Sequence, residues 1–339
     1  MSRSLVEAYY EPQCSDRSHG FRPNRGGHTA LRDVRQHGQA TKWFIEGDLC
    51  ACFDRIAHAV LEGILPERFH DHRFLRLMRG LLKAGYLAEW TCTATYSGVP
   101  HGGVVSPMLS HLVLDRWDKY VETQVIPAYT SGCRRRMHPS YARLLQQADK
   151  ARNQGDWPRV RELRQQAQCL PSRDPHDPDF RRLWYGRYAD DMLLGLPGSQ
   201  GEAEAIKQQL TTYLRAALHL ERSAEKTLGT HAREDRARFL GYEVHVLYAD
   251  DKHAHRGQRC SNGSIGRRVP PQVPQAKRAR YRRREQPRPL PERTLDDAYS
   301  ISAQYQAAYR GVVQYYRLAY NLHVLSHLQY VMDVSLVQT

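Results

Sequence analysis

Two adjacent carboxylates, Asp190 and Asp191, interrupt an otherwise apolar stretch, Leu183-Trp-Tyr-Gly-Arg-Tyr-Ala-Asp-Asp-Met-Leu-Leu-Gly195. Apolar runs this short, closed by Leu196-Pro197-Gly198, read as strand, turn, strand. That reading constrains the rest of the chain. Like charges at a hairpin tip repel, and aspartate has poor strand propensity, so the pair needs a compensating partner. A divalent cation removes the objection, because Mg²⁺ takes a few hard protein oxygens together with substrate phosphates. The stretch points to two-metal phosphoryl transfer, and it requires at least one more aspartate from elsewhere.

The second candidate is Lys42-Trp-Phe-Ile-Glu-Gly-Asp-Leu-Cys-Ala-Cys-Phe-Asp54. Trp43 to Ile45 is β-prone, and Asp48 follows at its end, where a side chain points into a cleft or caps a following helix. A third stretch runs Gly98-Val-Pro-His-Gly-Gly-Val-Val-Ser-Pro-Met-Leu-Ser110. Gly102 and Gly103 let backbone approach a ligand, Ser106-Pro107 is a helix start, and Leu109 to Val121 continues as an amphipathic helix. Such a loop can hold phosphate but lacks P-loop spacing. Ser18-His-Gly-Phe-Arg-Pro-Asn-Arg-Gly-Gly-His28 is loop-like; its Arg22 and Arg25 either reach phosphates or are solvated. Thr29 to Gly38 reads as a short helix capped by Thr29.

Charge narrows the partners. Lys plus Arg number 50 against 36 Asp plus Glu, a net +14, which favours a polyanion and nucleic acid first. Seven scattered cysteines without a CxxC pair argue against structural zinc and for free, mostly inert thiols. No run of about 18 apolar residues offers a membrane span, and Met1 to Tyr10 lacks an apolar signal core, so the expected compartment is the cytoplasm.

Further helices are expected over 56–65, 71–84 and 201–218, and strands over 89–96 and from Phe239 to about Leu247. Residues 130–180 read as an insertion carrying a charged helical hairpin. A second Tyr-Ala-Asp-Asp, Tyr248 to Asp251, precedes Lys252, His253 and His255 with no apolar strand after it, so it reads as a non-catalytic polar loop. The 248–293 stretch becomes rich in Arg and Pro and reads as a basic linker; Lys277, Arg278, Arg280, Arg282, Arg283 and Arg284 are its candidate RNA contacts. From Thr294 to Leu336 helix returns, with tyrosines interleaved with Arg310 and Arg317, suited to a core or to RNA stacking.

The order Ser18-His-Gly-Phe-Arg-Pro23, Phe44-Ile-Glu-Gly-Asp-Leu-Cys-Ala-Cys-Phe-Asp54, Gly98-Val-Pro-His-Gly-Gly-Val-Val-Ser-Pro107, Arg187-Tyr-Ala-Asp-Asp191, Glu225-Lys-Thr227 and Phe239-Leu-Gly-Tyr242 resembles the successive motifs of bacterial group II intron-encoded reverse transcriptases. Gln304 to Tyr316 resembles the start of their maturase domain. The resemblance implies an α+β right-hand polymerase: partial fingers (1–40), an antiparallel palm sheet packed on helices (41–247), the basic linker (248–293), and the start of a helical thumb or maturase region (294–339). It implies an RNA-directed DNA polymerase using two Mg²⁺ ions, an RNA template, a DNA primer, dNTPs and group II intron RNA. Asp48, Asp190 and Asp191 match the metal-holding aspartates, and Leu49 matches the position that adds a carbonyl oxygen. Phe53 matches the gate against a ribose 2′-hydroxyl, and Arg22 the fingers arginine near base and template. Gly102 and Gly103 match the loop under the nucleotide, Lys226 a lysine near nucleotide or primer, and Leu240-Gly241 the primer grip. His101 stands where the family has glutamine; it too donates a hydrogen bond, so altered nucleotide selection is expected. The family's N-terminal finger strands and the rest of its maturase domain are expected to lie outside this chain. An RNA-binding remnant without polymerase activity is the alternative.

Overall fold

The computed structural model describes all residues except 1, 50–54, 68, 89–90, 94–97, 100–104, 175–176, 221–228, 248–263 and 284–285, and omits the side chains of 2, 3, 5, 48, 86–88, 91–93, 264 and 283. The described residues pack as two units, 1–235 with 246–264, and 236–245 with 265–339.

The first unit opens with helices α1 (Ser2–Tyr10) and α2 (Gly27–His37). Thr29 does not cap α2 from outside, as the sequence suggested. It is the third residue of the helix, where its hydroxyl accepts from Gly26 N at 2.9 Å. Strand β1 (Trp43–Asp48) follows, then α3 (His58–Ile64), α4 (His72–Lys83, capped by Asp71) and a small hairpin of β2 (Tyr86–Ala88) and β3 (Thr91–Thr93). Helix α5 (Ser106–Tyr120) begins at the Ser-Pro signal. It is not amphipathic: Met108, Leu109, Leu112, Val113, Leu114 and Trp117 are buried, and so are His111, Asp115 and Asp118. The insertion forms helices α6 (Pro139–Asn153) and α7 (Trp157–Gln168), which bury a small core of their own from Ala148, Ala151, Val160 and Leu163.

Strands β4 (Trp184–Tyr188) and β5 (Asp191–Leu196) form the expected hairpin, followed by α8 (Gln200–Tyr213) and β6 (Gly229–His231). The sheet order is β4-β5-β1-β6, antiparallel throughout. Side chains alternate across it. Tyr185, Met192, Leu194, Leu196 and Ile45 join the core formed with α5 and α8. Trp184 on β4 instead donates its indole N–H to Asp33 of α2 at 3.1 Å. Helices therefore serve both faces, which explains the nearly unbroken apolar runs in the two central strands.

Strands β7 (Ala237–Phe239), β8 (Tyr242–Leu247) and β9 (Ser264–Arg268) form one sheet in that order, and all of it but 246–247 and 264 belongs to the second unit. The single strand expected from Phe239 is thus two strands, with Leu240 and Gly241 at the turn. Part of the stretch read as linker has regular structure: β9, helix α9 (Gln272–Arg280), and a short hairpin of β10 (Arg282–Arg283) and β11 (Gln286–Pro287). Ile265, Val269, Tyr281 and Leu290 anchor it by burial beside helices α10 (Ala298–Tyr315) and α11 (Ser326–Gln338). Asn321 completes the tie, accepting from Val269 N at 2.8 Å and donating to its carbonyl at 3.2 Å. The tyrosines divide: Tyr305 and Tyr316 are buried, whereas Tyr299, Tyr320 and Tyr330 are exposed.

Among the described residues no helix is long and apolar enough to cross a membrane. Of the described cysteines, Cys14 is buried and its thiol is pushed up to about 12, chiefly by burial, which makes it inert. Cys133 and Cys169 are exposed, and both are free thiols as expected.

Candidate active site

Antiparallel pairing sets the register. Trp43 lies opposite Leu196, and the pairing runs to the far end, where Asp48 lies opposite Asp191. On the other side of β5, Tyr188 pairs with Asp191, which leaves Ala189 and Asp190 as the two-residue turn. Leu49 N donates to the Asp190 carbonyl at 3.4 Å, extending the β1 contact onto the turn. The backbones of Asp48, Asp190 and Asp191 therefore converge at one end of two neighbouring central strands. Asp190 and Asp191 are each half-buried.

Asp190 and Asp191 bring two carboxylates to this end of the sheet, and carboxylates with main-chain oxygens are the ligand types that a hard divalent cation takes. Among the described side chains no group of three or more His, Cys, Asp or Glu forms a metal cluster, and the Asp48 side chain lies outside that set.

The turn is held on three sides. Arg187, two residues before Ala189, is fully buried with Asp118 of α5. Its Nε donates to Asp118 Oδ1 at 2.8 Å, its Nη2 to Oδ2 at 2.5 Å, and its Nη1 to the Ala189 carbonyl at 2.7 Å. The Tyr185 hydroxyl also donates to Asp118 Oδ1, at 2.5 Å, and burial with the adjacent carboxylate keeps that phenol protonated. From the loop side, Arg187 N donates to the Arg17 carbonyl and His19 N to the Arg187 carbonyl, both at 2.9 Å. The Ser18-His19-Gly20 segment thus runs along the edge of β4, and a Cβ on Gly20 would lie 2.3 Å from Ala189 N.

His111 lies beside this network, lining a small pocket with Phe21, Ser110, Leu114, Arg187, Ala189 and Asp190. Its pKa is pushed down to about 3, first by burial and then by the Arg187 charge, so the folded protein holds it neutral. Its unfolded value is near 6.5. This contribution to stability is complete above pH 6.5 and is lost as the pH falls toward 3. At pH 5 the loss is about 2 kcal/mol. Denaturant unfolding at pH 7.5 and 5.0 is expected to give a difference smaller by roughly that amount in His111→Phe than in the parent. Equal pH dependence in both proteins would remove His111 from the account.

The remaining sequence candidates are distributed as follows. Arg22 is not a solvated loop residue: it is buried, with Nε 2.9 Å from Glu11 Oε1, Nη1 on the Ser15 carbonyl, and a further contact to the Ser18 carbonyl at 3.1 Å. Arg25 pairs with Asp16 at 2.6 Å. Leu49 is buried at the end of β1. Phe53, His101, Gly102, Gly103, Lys226 and Arg284 lie outside the described residues, as does the second Tyr-Ala-Asp-Asp at 248–251. The side chain of Arg283 lies outside them too. Lys277 and Arg280 are exposed on α9, with Arg280 3.6 Å from Glu292, while Arg278 is half-buried and donates to the Pro274 carbonyl.

In the second unit, the Leu240-Gly241 turn has positive φ at both residues, 50° and 68°. Tyr315 Oη donates to the Leu240 carbonyl at 2.9 Å and Tyr316 Oη to the Gly241 carbonyl at 3.2 Å. Burial pushes Tyr316 up to about 12, so its phenol stays a donor. Sequence reading noticed these tyrosines without this role. A Tyr-Tyr pair at the end of a helix carries no sign of a partner about 75 residues away.

A family model for reverse transcriptase (RNA-dependent DNA polymerase) matches residues 1–149, which include β1 and Asp48 but stop short of the β4–β5 hairpin. A type II intron maturase model matches residues 275–339. Group II intron-encoded protein LtrA of Lactococcus lactis subsp. cremoris is 32% identical over 358 residues, covering 99% of this chain and 59% of that protein. Putative COX1/OXI3 intron 1 protein of Saccharomyces cerevisiae is 31% identical, covering 99% of this chain and 42% of that one. This chain therefore spans about three-fifths or less of these relatives' lengths. Telomerase from Candida albicans aligns over 99% of this chain at 11% identity and a TM-score of 0.40, a likeness too loose to bear on the site.

Proposed function

Because the chain belongs to the family of group II intron-encoded reverse transcriptases and maturases, we propose that it is an RNA-directed DNA polymerase with an intron-RNA-binding role. The observation that carries this reading is the register that sets Asp48 opposite Asp191 with Asp190 in the adjoining turn. In this reading Asp48, Asp190 and Asp191, with the Leu49 carbonyl, hold two Mg²⁺ ions. When bound, these ions supply Lewis-acid stabilisation of charge on the transferring phosphate and of the attacking primer oxygen. The protein's part is to hold the carboxylates on a stiff sheet and to orient primer, template and dNTP.

The other roles extend the family assignment. Phe53 is assigned to exclude a 2′-hydroxyl. His101, Gly102 and Gly103 are assigned to the nucleotide sugar and template, and Lys226 to nucleotide or primer. Arg22, with its guanidinium engaged by Glu11, is assigned to shape the loop near the template base. Leu240 and Gly241 are assigned to grip the primer, on a turn braced by Tyr315 and Tyr316. Residues 1–40 are assigned to fingers, 41–247 to palm with the 130–180 insertion, and 294–339 to the maturase helices. Between them, the basic 248–293 segment, with Lys277, Arg278, Arg280, Arg282, Arg283 and Arg284, is assigned to RNA phosphates.

The test is extension of a DNA primer on an RNA template with dNTPs and Mg²⁺. Mg²⁺-dependent extension by the parent protein, unchanged by Asp250→Asn, is the expected result. Absence of extension with retained, salt-sensitive RNA binding would replace this reading with that of an RNA-binding remnant. A loss in Asp250→Asn equal to that of Asp190→Asn would make the second tetrapeptide catalytic.

A further inference from the structure

We propose that Arg187 and Asp118 are a positioning pair, whose task is to fix the main chain of the Ala189-Asp190 turn and thereby aim the two carboxylates. This rests on the polymerase reading above for its catalytic consequence, but its structural content stands on contacts alone. Both side chains are fully buried, and their pairing is bidentate. A third Arg187 N–H reaches past the pair to the Ala189 carbonyl at 2.7 Å. Ala189 is the residue that needs such support. Its φ is +55°, in the left-handed region that a side-chain-bearing residue enters only when its surroundings enforce it.

Stability alone is a poor explanation for this arrangement. A buried ion pair can commonly be replaced by apolar residues of similar volume without loss of stability, because the desolvation cost offsets the attraction. An apolar pair cannot hold a carbonyl. What the charged pair adds is a rigid, planar donor fixed at its base by Asp118, which is itself fixed by Tyr185 and by its seat in α5. The chain from α5 through Asp118 and Arg187 to Ala189 ends one residue before Asp190. On the opposite side of the turn, Leu49 N meets the Asp190 carbonyl. Loosening the clamp should therefore register at the Leu49 amide as well as at Asp190 and Asp191.

The decisive comparison is the parent chain against Asp118→Leu/Arg187→Met and against Arg187→Lys, which keeps a charge for Asp118 but lacks the second arm for Ala189. Thermal unfolding, hydrogen exchange and primer extension across a Mg²⁺ series are measured for all three. Both variants are expected to fold, to exchange the Leu49 and 188–191 amides at least about 10-fold faster than the parent, to extend primers about 100-fold more slowly, and to require several-fold more Mg²⁺. A general structural role would not shift the Mg²⁺ requirement. Parent-like exchange at Leu49 in either folded variant overturns the proposal, as does extension within twofold of the parent. Failure of both variants to fold also overturns it, since the pair would then carry the fold rather than the turn. Should the parent itself not extend primers, the polymerase reading fails and the exchange comparison alone decides this proposal.

Discussion

Asp190→Asn is expected to slow primer extension by on the order of 10³-fold while leaving the unfolding midpoint within about 2 °C of the parent. The two halves of this expectation have different origins. Asparagine keeps the shape of the side chain, and the Leu49 N–H bond goes to the main-chain oxygen of residue 190, which the substitution does not touch. The local charge, however, changes by one, and a neutral amide is a far weaker ligand for Mg²⁺ than a carboxylate. Removing one of two adjacent like charges also relieves repulsion, which offsets what the side chain's own contacts contribute to folding stability. Rates from single-turnover extension and midpoints from thermal unfolding check both halves. A loss of activity accompanied by a large drop in midpoint would mean that Asp190 acts through the fold, and full activity would take it out of the metal site.

The second large effect is expected at a residue without a side chain. Gly20→Ala would put a Cβ 2.3 Å from Ala189 N, 3.0 Å from its Cα and 3.2 Å from the Tyr188 carbonyl carbon. All three are main-chain atoms, so no rotamer change can relieve the overlap. Either the 18–20 segment detaches from the edge of β4, breaking the His19-to-Arg187 bond, or the turn shifts. Overpacking of this kind costs about 1–3 kcal/mol. A displacement of about 1 Å at a reacting centre costs about 100-fold in rate. The expected outcome is a folded protein with a lowered midpoint and extension reduced about 100-fold. Gly201 is a fitting control: a Cβ there meets nothing within 4 Å, so Gly201→Ala should leave both measurements near the parent's. If Gly20→Ala behaved like that control, the close approach would have no consequence for the turn.

The legible parts of this protein were those whose cause is local. Short apolar runs broken by Asp190-Asp191 and closed by Leu196-Pro197-Gly198 read as a hairpin, and the pairing of Tyr188 with Asp191 moves its turn one residue back, to Ala189-Asp190. Trp43 to Ile45 ending at Asp48 read as a strand for the same reason, and Ser106-Pro107 announced the start of α5. Misreadings came where a partner far along the chain decides the outcome. Arg22 read as a loop cation that either reaches phosphate or is solvated, and Glu11 with the Ser15 and Ser18 carbonyls buries it. The helix after Leu109 looked amphipathic because Asp115 and Asp118 are charged, and Asp118 is buried because Arg187 meets it. The strand expected from Phe239 is two, because Leu240 and Gly241 adopt positive φ and the tyrosines that brace that turn come from the end of α10.

By itself the sequence determined that two aspartates sit on a hairpin, that a third closes another strand, and that these motifs run in the order of a group II intron reverse transcriptase. Strand and turn preferences act between neighbours, so residue order encodes them directly. Only the tertiary structure decided that Asp48 faces Asp191 across the β1–β5 pair, and that Arg187 holds the turn through an aspartate 69 residues earlier. Register and burial depend on which surfaces meet once the chain has closed on itself. A one-residue slip of β1 would have left every local preference intact and carried Asp48 to the other face of the sheet.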